Sequence, residues 1–139
     1  MLPLLSDQQK RELLQQTKTI AVVGLSPKPE RPSHYIAKFL QQASYRVVPV
    51  RPAIKQLMVE PVFRTLNDIP IPVDMVKVFR ASQHVHEIVN QCIESGIKAI
   101  WLQEGIVHNE AAETAQKAGI SIIMYECICK EIIRLGIND

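Results

Sequence analysis

The sequence predicts an α/β protein, a single doubly wound parallel sheet with helices on both faces in a three-layer α/β/α arrangement. Three observations lead there. Short continuous apolar runs recur along the chain, which is the pattern of strands buried on both faces rather than one. Segments with helical spacing alternate with those runs at a regular interval, the signature of βαβ units joined by right-handed crossovers. The chain's 139 residues make one domain, residues 1–139, long enough to bury a core.

The elements follow in order. Ser6-Asp-Gln-Gln is a capping-box-like Ser-x-x-Gln and opens a helix to about Gln16. Thr19-Ile-Ala-Val-Val-Gly24 is an apolar strand stopped by glycine. Leu25 to Pro32 carries three prolines and reads as a loop, and Ser33 to Gln42 returns to helical spacing with Ile36, Ala37 and Leu40 on one face. Tyr45 to Val50 is the second strand. Pro52 to Pro72 is irregular and proline-punctuated, with a short edge strand expected near Val62-Phe63. Val73 to Val78 is a strand; Ser82 is expected to cap a helix to about Ser95, which Gly96 stops. Lys98 to Trp101, Asn109 to Ala118, Ile120 to Met124 and Ile128 to Leu135 complete the alternation as strand, helix, strand and helix. No internal repeat, low-complexity segment or linker interrupts it.

Composition narrows the function. Hydrophobic residues are 47% and charged residues 22%, and the net charge is +2 with no basic run, which speaks against nucleic acid or membrane partners. No apolar stretch approaches the roughly 18–20 residues that span a bilayer. Met1-Leu-Pro-Leu-Leu is too short, and too soon followed by Asp7, Lys10 and Arg11, for a signal peptide. Cys92, Cys127 and Cys129 are odd in number and lack disulfide or zinc spacing, so a reducing cytoplasm is the expected location.

In a doubly wound sheet ligands lie beyond the carboxyl ends of the strands, near the point where strand order reverses. That rule selects the loops 24–33, 50–53, 79–82, 102–108 and 125–128. In the first, Gly24 permits close backbone approach, Ser26 and Ser33 offer hydroxyls, and Lys28 and Arg31 add cations on a proline-stiffened loop before a helix N-terminus. The pattern fits phosphate binding or a solvated basic turn. Only one glycine of Gly-x-Gly-x-x-Gly is present, which weakens an NAD reading, and the loop is not a Walker A sequence. Val50-Arg51-Pro52 places a cation where NAD-binding folds put an acid, which suits an extra ribose phosphate or is a surface arginine. Arg80 can pair with phosphate or stack on a base, while Phe79 reads as core. Gln103 and Glu104 hydrogen-bond a ligand or cap the next helix, and Gly105 permits a tight turn.

Across these loops the sequence resembles the YccU-like family of small coenzyme A-binding proteins, themselves similar to the N-terminal domain of the succinyl-CoA synthetase α subunit. The resemblance lies in Ile20-Ala-Val-Val-Gly-Leu-Ser26, Arg31-Pro-Ser33, Tyr45-Arg-Val-Val-Pro-Val50, Val73-Asp74 with Phe79-Arg80, and Trp101-Leu-Gln-Glu-Gly105. Asn109-Glu-Ala-Ala112, Ala118-Gly119 and Met124 to Cys127 continue it, in order, over residues 19–135. It implies a Rossmann-like domain of strand order 3-2-1-4-5-6 that binds coenzyme A. Gly24, Ser26 and Ser33 would lie along the pyrophosphate, Lys28 or Arg31 would face the phosphates, and Val50, Arg51 and Pro52 would meet the adenosine end. Phe79 and Arg80 would flank the middle of the ligand, with Gln103, Gly105 and Cys127 towards the pantetheine. Three places depart from the family: Arg51 replaces an asparagine, Met58-Val-Glu60 lacks a glycine, and Glu126 stands where the family carries arginine. Ligase activity is not implied, because the synthetase's chemistry resides largely on a second domain and another subunit.

No Ser/His/Asp order or carboxylate pair stands out as catalytic. Cys127 near a ligand thiol reads as a redox-sensitive or a packed cysteine, and Cys127 and Cys129, two apart, point to different faces of a helix. His84 and His86 share that spacing, which disfavours a metal site, and His34 is either near a phosphate or on the surface. Three readings stand: a non-catalytic coenzyme A or acyl-CoA binding protein, an NADP- or acyl-CoA-dependent enzyme, and a ligand-free interaction domain. A homodimer is compatible with the small domain and its apolar helices.

Overall fold

The central strand explains the sheet. β1 (Thr19–Val23) is buried along Ile20 to Val23, so its side chains are covered on both faces and a helical layer must lie on each. It pairs in parallel with β2 (Arg46–Val50) on one side and with β5 (Met75–Val78) on the other. β6 (Ala99–Leu102) and β7 (Ser121–Ile123) extend the sheet beyond β5, giving the order β2-β1-β5-β6-β7, all parallel. A two-residue antiparallel ribbon, β3 (Gln56–Leu57) with β4 (Glu60–Pro61), lies outside it. The structure is a computed structural model that describes residues 5–137, so the Met1–Leu4 part of the segment judged too short for a signal peptide falls outside it.

Two apolar layers sandwich the sheet. Helices α3 (Val85–Ser95) and α4 (Asn109–Lys117) cover one face through Val85, Val89, Ala111 and Ala115. Helices α1 (Asp7–Gln16), α2 (Pro32–Gln42) and α5 (Ile128–Arg134) cover the other through Leu14, Ile36, Leu40, Ile128 and Ile132. Trp101 is fully buried on that second face, and its indole N–H donates to the Glu126 carbonyl at 2.8 Å, which satisfies its one polar atom.

Local chemistry sets the helix ends. The capping box is complete: the Gln9 amide donates to Ser6 Oγ at 3.1 Å and the Ser6 amide to Gln9 Oε1 at 2.8 Å. Gly96 ends α3 at φ +73°, where its flexibility is needed. Ser82 does not cap that helix; residues Ser82–His84 form a 3-10 turn whose side chains make no cap, because the backbone tightens before α3 begins. Nor do Gln103 and Glu104 cap α4, since His108 Nδ1 accepts from the Ala111 amide at 3.1 Å.

The expected six-strand order needs one amendment. The strand foreseen near Val62-Phe63 shrinks to a single parallel bridge between Phe63 and Val50, held by the Phe63 amide on the Pro49 carbonyl and the Arg51 amide on the Phe63 carbonyl. Pro61 and the turn before it leave no run long enough to pair further. That turn is strained: Met58 and Val59 take φ +55° and +63°, a conformation that costs a β-branched residue about 1–2 kcal/mol. With no glycine in the turn, Met58 and Val59 themselves carry that cost.

Candidate functional site

Strand order reverses between β1 and β5, and at their carboxyl ends lies a cleft of about 650 Å³, in the size range of small-molecule sites. Gly24 closes its floor. The Gly24 φ is +88°, and a side chain there would be strained and would come within 3.2 Å of the Phe79 carbonyl and of Arg80 Cδ, which favours glycine where the two strand ends meet. Its amide donates to the Val50 carbonyl at 2.9 Å, which joins the ends of β1 and β2.

The loop from β1 to α2 forms the outer wall through Ser26, Pro27, Lys28, Arg31, Pro32 and Ser33. Its shape is fastened by bonds across a few residues. Buried Ser33 Oγ accepts from the Ser26 amide at 2.9 Å, and Ser26 Oγ accepts from the Lys28 amide at 3.1 Å. His34 Nδ1 lies 2.8 Å from the Ser26 carbonyl, so this histidine tethers the loop. Arg51, in the same wall, donates to the Leu25 carbonyl at 3.2 Å and the Pro52 carbonyl at 3.3 Å, leaving other guanidinium N–H groups uncommitted. No side chain caps α2, whose N-terminus opens beside these cations. Three positive side chains and a helix N-terminus on one wall suit a ligand with several phosphate charges.

The opposite end is built differently. Phe79, Gln103, Glu104 and Ile106 line it, and Gln103 is backed by Lys77. Lys77 is fully buried in β5; its ammonium donates to Gln103 Oε1 at 2.8 Å and stands 4.5 Å from the Phe79 ring centroid. Burial pulls Lys77 down to about 7, against the opposing pull of Cys127, Cys129 and Glu104 nearby. Burial also pushes Cys129 up to about 12, with Cys127 adding to the effect. The two thiols interact rather than diverge, because Cys127 precedes α5 in an extended conformation instead of standing on the helix.

Of the residues singled out in the sequence, Gly24, Ser26, Lys28, Arg31, Ser33, Arg51, Phe79 and Gln103 share this cleft. Val50 is buried beneath it, Pro52 is exposed behind Arg51, and Gly105 turns the chain between Gln103 and Ile106. The Arg80 guanidinium lies 3.2 Å from His84 Nε2, at the rim outside the wall. Cys127 lies behind the wall, next to Lys77. Lys77 lies outside the loops that the strand-end rule selects, although a lysine inside an otherwise apolar strand of a two-sided sheet signals a buried cation. Ile106 offered no such signal.

Glu126 has a partner of its own. Lys10 of α1, buried, donates to the Glu126 carboxylate and to Glu131 Oε1 at 2.6 Å, and Arg134 forks onto Asp7 and Glu131. Arg134, Glu126 and Lys10 hold Glu131 well below the usual carboxylate range, while burial and Glu131 raise Glu126. Among the described residues no three His, Cys, Asp or Glu side chains are gathered as a metal site, and no helix is long and apolar enough to cross a membrane.

Known proteins resemble this chain in sequence and in fold. YneT of Bacillus subtilis is 37% identical over 118 residues, covering 85% of this chain and 87% of YneT. A solved structure from Thermus thermophilus superposes with a TM-score of 0.89 at 35% identity, covering 94% of this chain and 99% of that one. The α subunit of the ADP-forming acetate–CoA ligase I of Pyrococcus furiosus is 27% identical over 128 residues, covering 81% of this chain but 28% of the subunit. The family model described as CoA binding domain matches residues 18–132, and the chain therefore belongs to the CoA-binding domain family.

Proposed function

We propose that the chain binds coenzyme A, or an acyl-CoA, in this cleft and does not transform it. The observation that carries the reading is the division of the cleft into a cationic wall and a less charged inner end. Lys28, Arg31 and Arg51 with the α2 N-terminus face the phosphates, and Gln103 and Phe79 receive the uncharged arm. Ser26 and Ser33 keep their hydroxyl protons for a phosphate oxygen, since both accept from backbone amides. Arg51 takes the ribose 3′-phosphate, which explains a cation at the end of β2. Val50, Pro52 and Arg80 border the adenosine and middle portions, and Gly105 and Cys127 lie beyond the pantetheine end.

Binding without turnover is supported by the side chains themselves. Among the described residues the cleft wall pairs no nucleophile with a general base, and His34 is committed to a backbone carbonyl. The relatives that name a reaction are acetate–CoA ligases of which this chain covers 28% and 18%, so the reaction is not carried over. Cys92, Cys127 and Cys129 are free thiols, which supports a reducing, cytoplasmic location.

The test is a thermal-shift titration with coenzyme A, dephospho-coenzyme A, NADP and NAD. Coenzyme A is expected to stabilise by about 2.7 kcal/mol at a hundredfold excess over its Kd. Dephospho-coenzyme A is expected to need a higher concentration and NAD to have no effect. A larger shift with NADP than with coenzyme A, or no shift with either coenzyme A form, would overturn the reading.

A further inference from the structure

Lys77 is a charged side chain within an otherwise apolar strand, and phosphate binding makes no use of it. It sits at full burial in β5, with Phe79 over its ammonium and Gln103 Oε1 as its hydrogen-bond acceptor. Lys77 donates to Gln103 Oε1, and as the ammonium it forms below about pH 7 it carries donors only, which turns the oxygen of the Gln103 amide towards it. The Gln103 Nε2 group, with two donors, then has no acceptor among the described residues, while Gln103 itself lines the cleft. Cys127, Cys129 and Glu104 are the other polar groups around Lys77, and none is hydrogen-bonded to Gln103.

We propose that Lys77 is a positioning residue that locks the Gln103 amide with its NH2 towards the cleft, so that the inner end reads a hydrogen-bond acceptor, namely an amide or thioester carbonyl of the ligand. This rests on the coenzyme A reading above and assigns the part of that ligand recognised here: the carbonyl-bearing arm rather than the nucleotide. Lys77 does not touch the ligand, being shut beneath Gln103 and Phe79. Without it the amide has two near-equivalent orientations, and the preference for an acceptor is lost. A polar group held ready for one partner rejects a ligand lacking that partner, because its donors would stay unpaired.

The experiment is calorimetric titration of the wild type, Lys77→Met, Gln103→Leu and the double variant with two ligands: coenzyme A, and adenosine 3′,5′-bisphosphate, which has the nucleotide but no carbonyl arm. Lys77→Met and Gln103→Leu are each expected to weaken coenzyme A by about 3- to 10-fold, the range of one neutral hydrogen bond. The bisphosphate should stay within about twofold in both, and the double variant should bind coenzyme A no more weakly than Gln103→Leu alone. Equal losses for both ligands, no loss in Lys77→Met, or additive losses in the double variant would overturn the proposal. Should Lys77→Met fail to fold, Gln103→Glu carries the test, since it keeps the acceptor for Lys77 and removes the donors. It is expected to weaken coenzyme A and spare the bisphosphate, and unchanged coenzyme A binding would overturn the assignment. A wild type that binds neither ligand would instead overturn the coenzyme A reading, and this proposal with it.

Discussion

The two ends of the cleft are made by opposite means. The outer end is a loop whose cations, Lys28 and Arg31, are exposed, and whose shape comes mainly from bonds spanning two to eight residues, with Arg51 adding one to the Leu25 carbonyl from 26 residues away. At the inner end a fully buried lysine bonds a glutamine 26 residues away, and behind it Lys10 reaches Glu126 and Glu131 across more than 100 residues. Exposed charge is cheap to hold and available to a ligand. Buried charge is costly and is tolerated only where partners are in place. The outer end should therefore govern affinity with little effect on stability, and the inner end should govern both.

Lys10→Met tests the costly side most severely. It removes the cation between the part-buried Glu126 and Glu131 carboxylates and leaves Arg134 as the cation on Glu131, and a loss on the order of 2 kcal/mol is expected in urea denaturation. A change below about 0.5 kcal/mol would show that the cluster is solvated and that the contrast between the ends is false.

Lys77 gives the comparison a pH signature. Burial holds it near about 7 in the folded chain, whereas an unfolded lysine titrates near about 10.4. Between those values the unfolded state binds more protons, so this residue makes the fold more stable as pH rises from about 7 to about 10. Lys77→Met should abolish that gain. Cys92 and Cys129, both pushed up to about 12 by burial, act in the opposite sense at higher pH, and both are present in both proteins. The wild-type minus variant difference in denaturation free energy at pH 7 and pH 9 reports Lys77 together with its effect on Cys129, and equal slopes would contradict the burial of Lys77.

Smaller effects belong to the outer end. Ser33→Ala removes the acceptor for the Ser26 amide and is expected to cost about 1 kcal/mol. Lys28→Met is expected to change stability by less than about 0.5 kcal/mol while weakening coenzyme A binding in a salt-dependent way. A stability loss in Lys28→Met larger than that in Ser33→Ala would reverse the assignment of roles.

The same contrast explains what could be seen in the residues alone. The strand-end rule found the outer wall because Gly24, Ser26, Lys28, Arg31 and Ser33 are neighbours in the chain and make their contacts locally. Parallel strands were visible in runs such as Ile20 to Val23, where burial on both faces removes the alternation of polar residues. The edge segment at Val62-Phe63 is legible in place but not in length, because a single bridge at Phe63 leaves no periodicity to read. Lys77, Lys10 and the His108 cap depend on partners distant in sequence or on the exact start of a turn, which spacing does not encode. Glu126 looked like a lost anion contact; its partner Lys10 lies 116 residues earlier, beyond any local pattern.

The central claim, a coenzyme A site between the ends of β1, β2, β5 and β6, is tested most directly by following backbone amide NMR signals during titration with coenzyme A. The account predicts saturable shifts concentrated in residues 24–33, 51, 79 and 103–106, with α4 and the β3–β4 ribbon largely unmoved. Saturable shifts centred elsewhere, or none at millimolar coenzyme A, would contradict it.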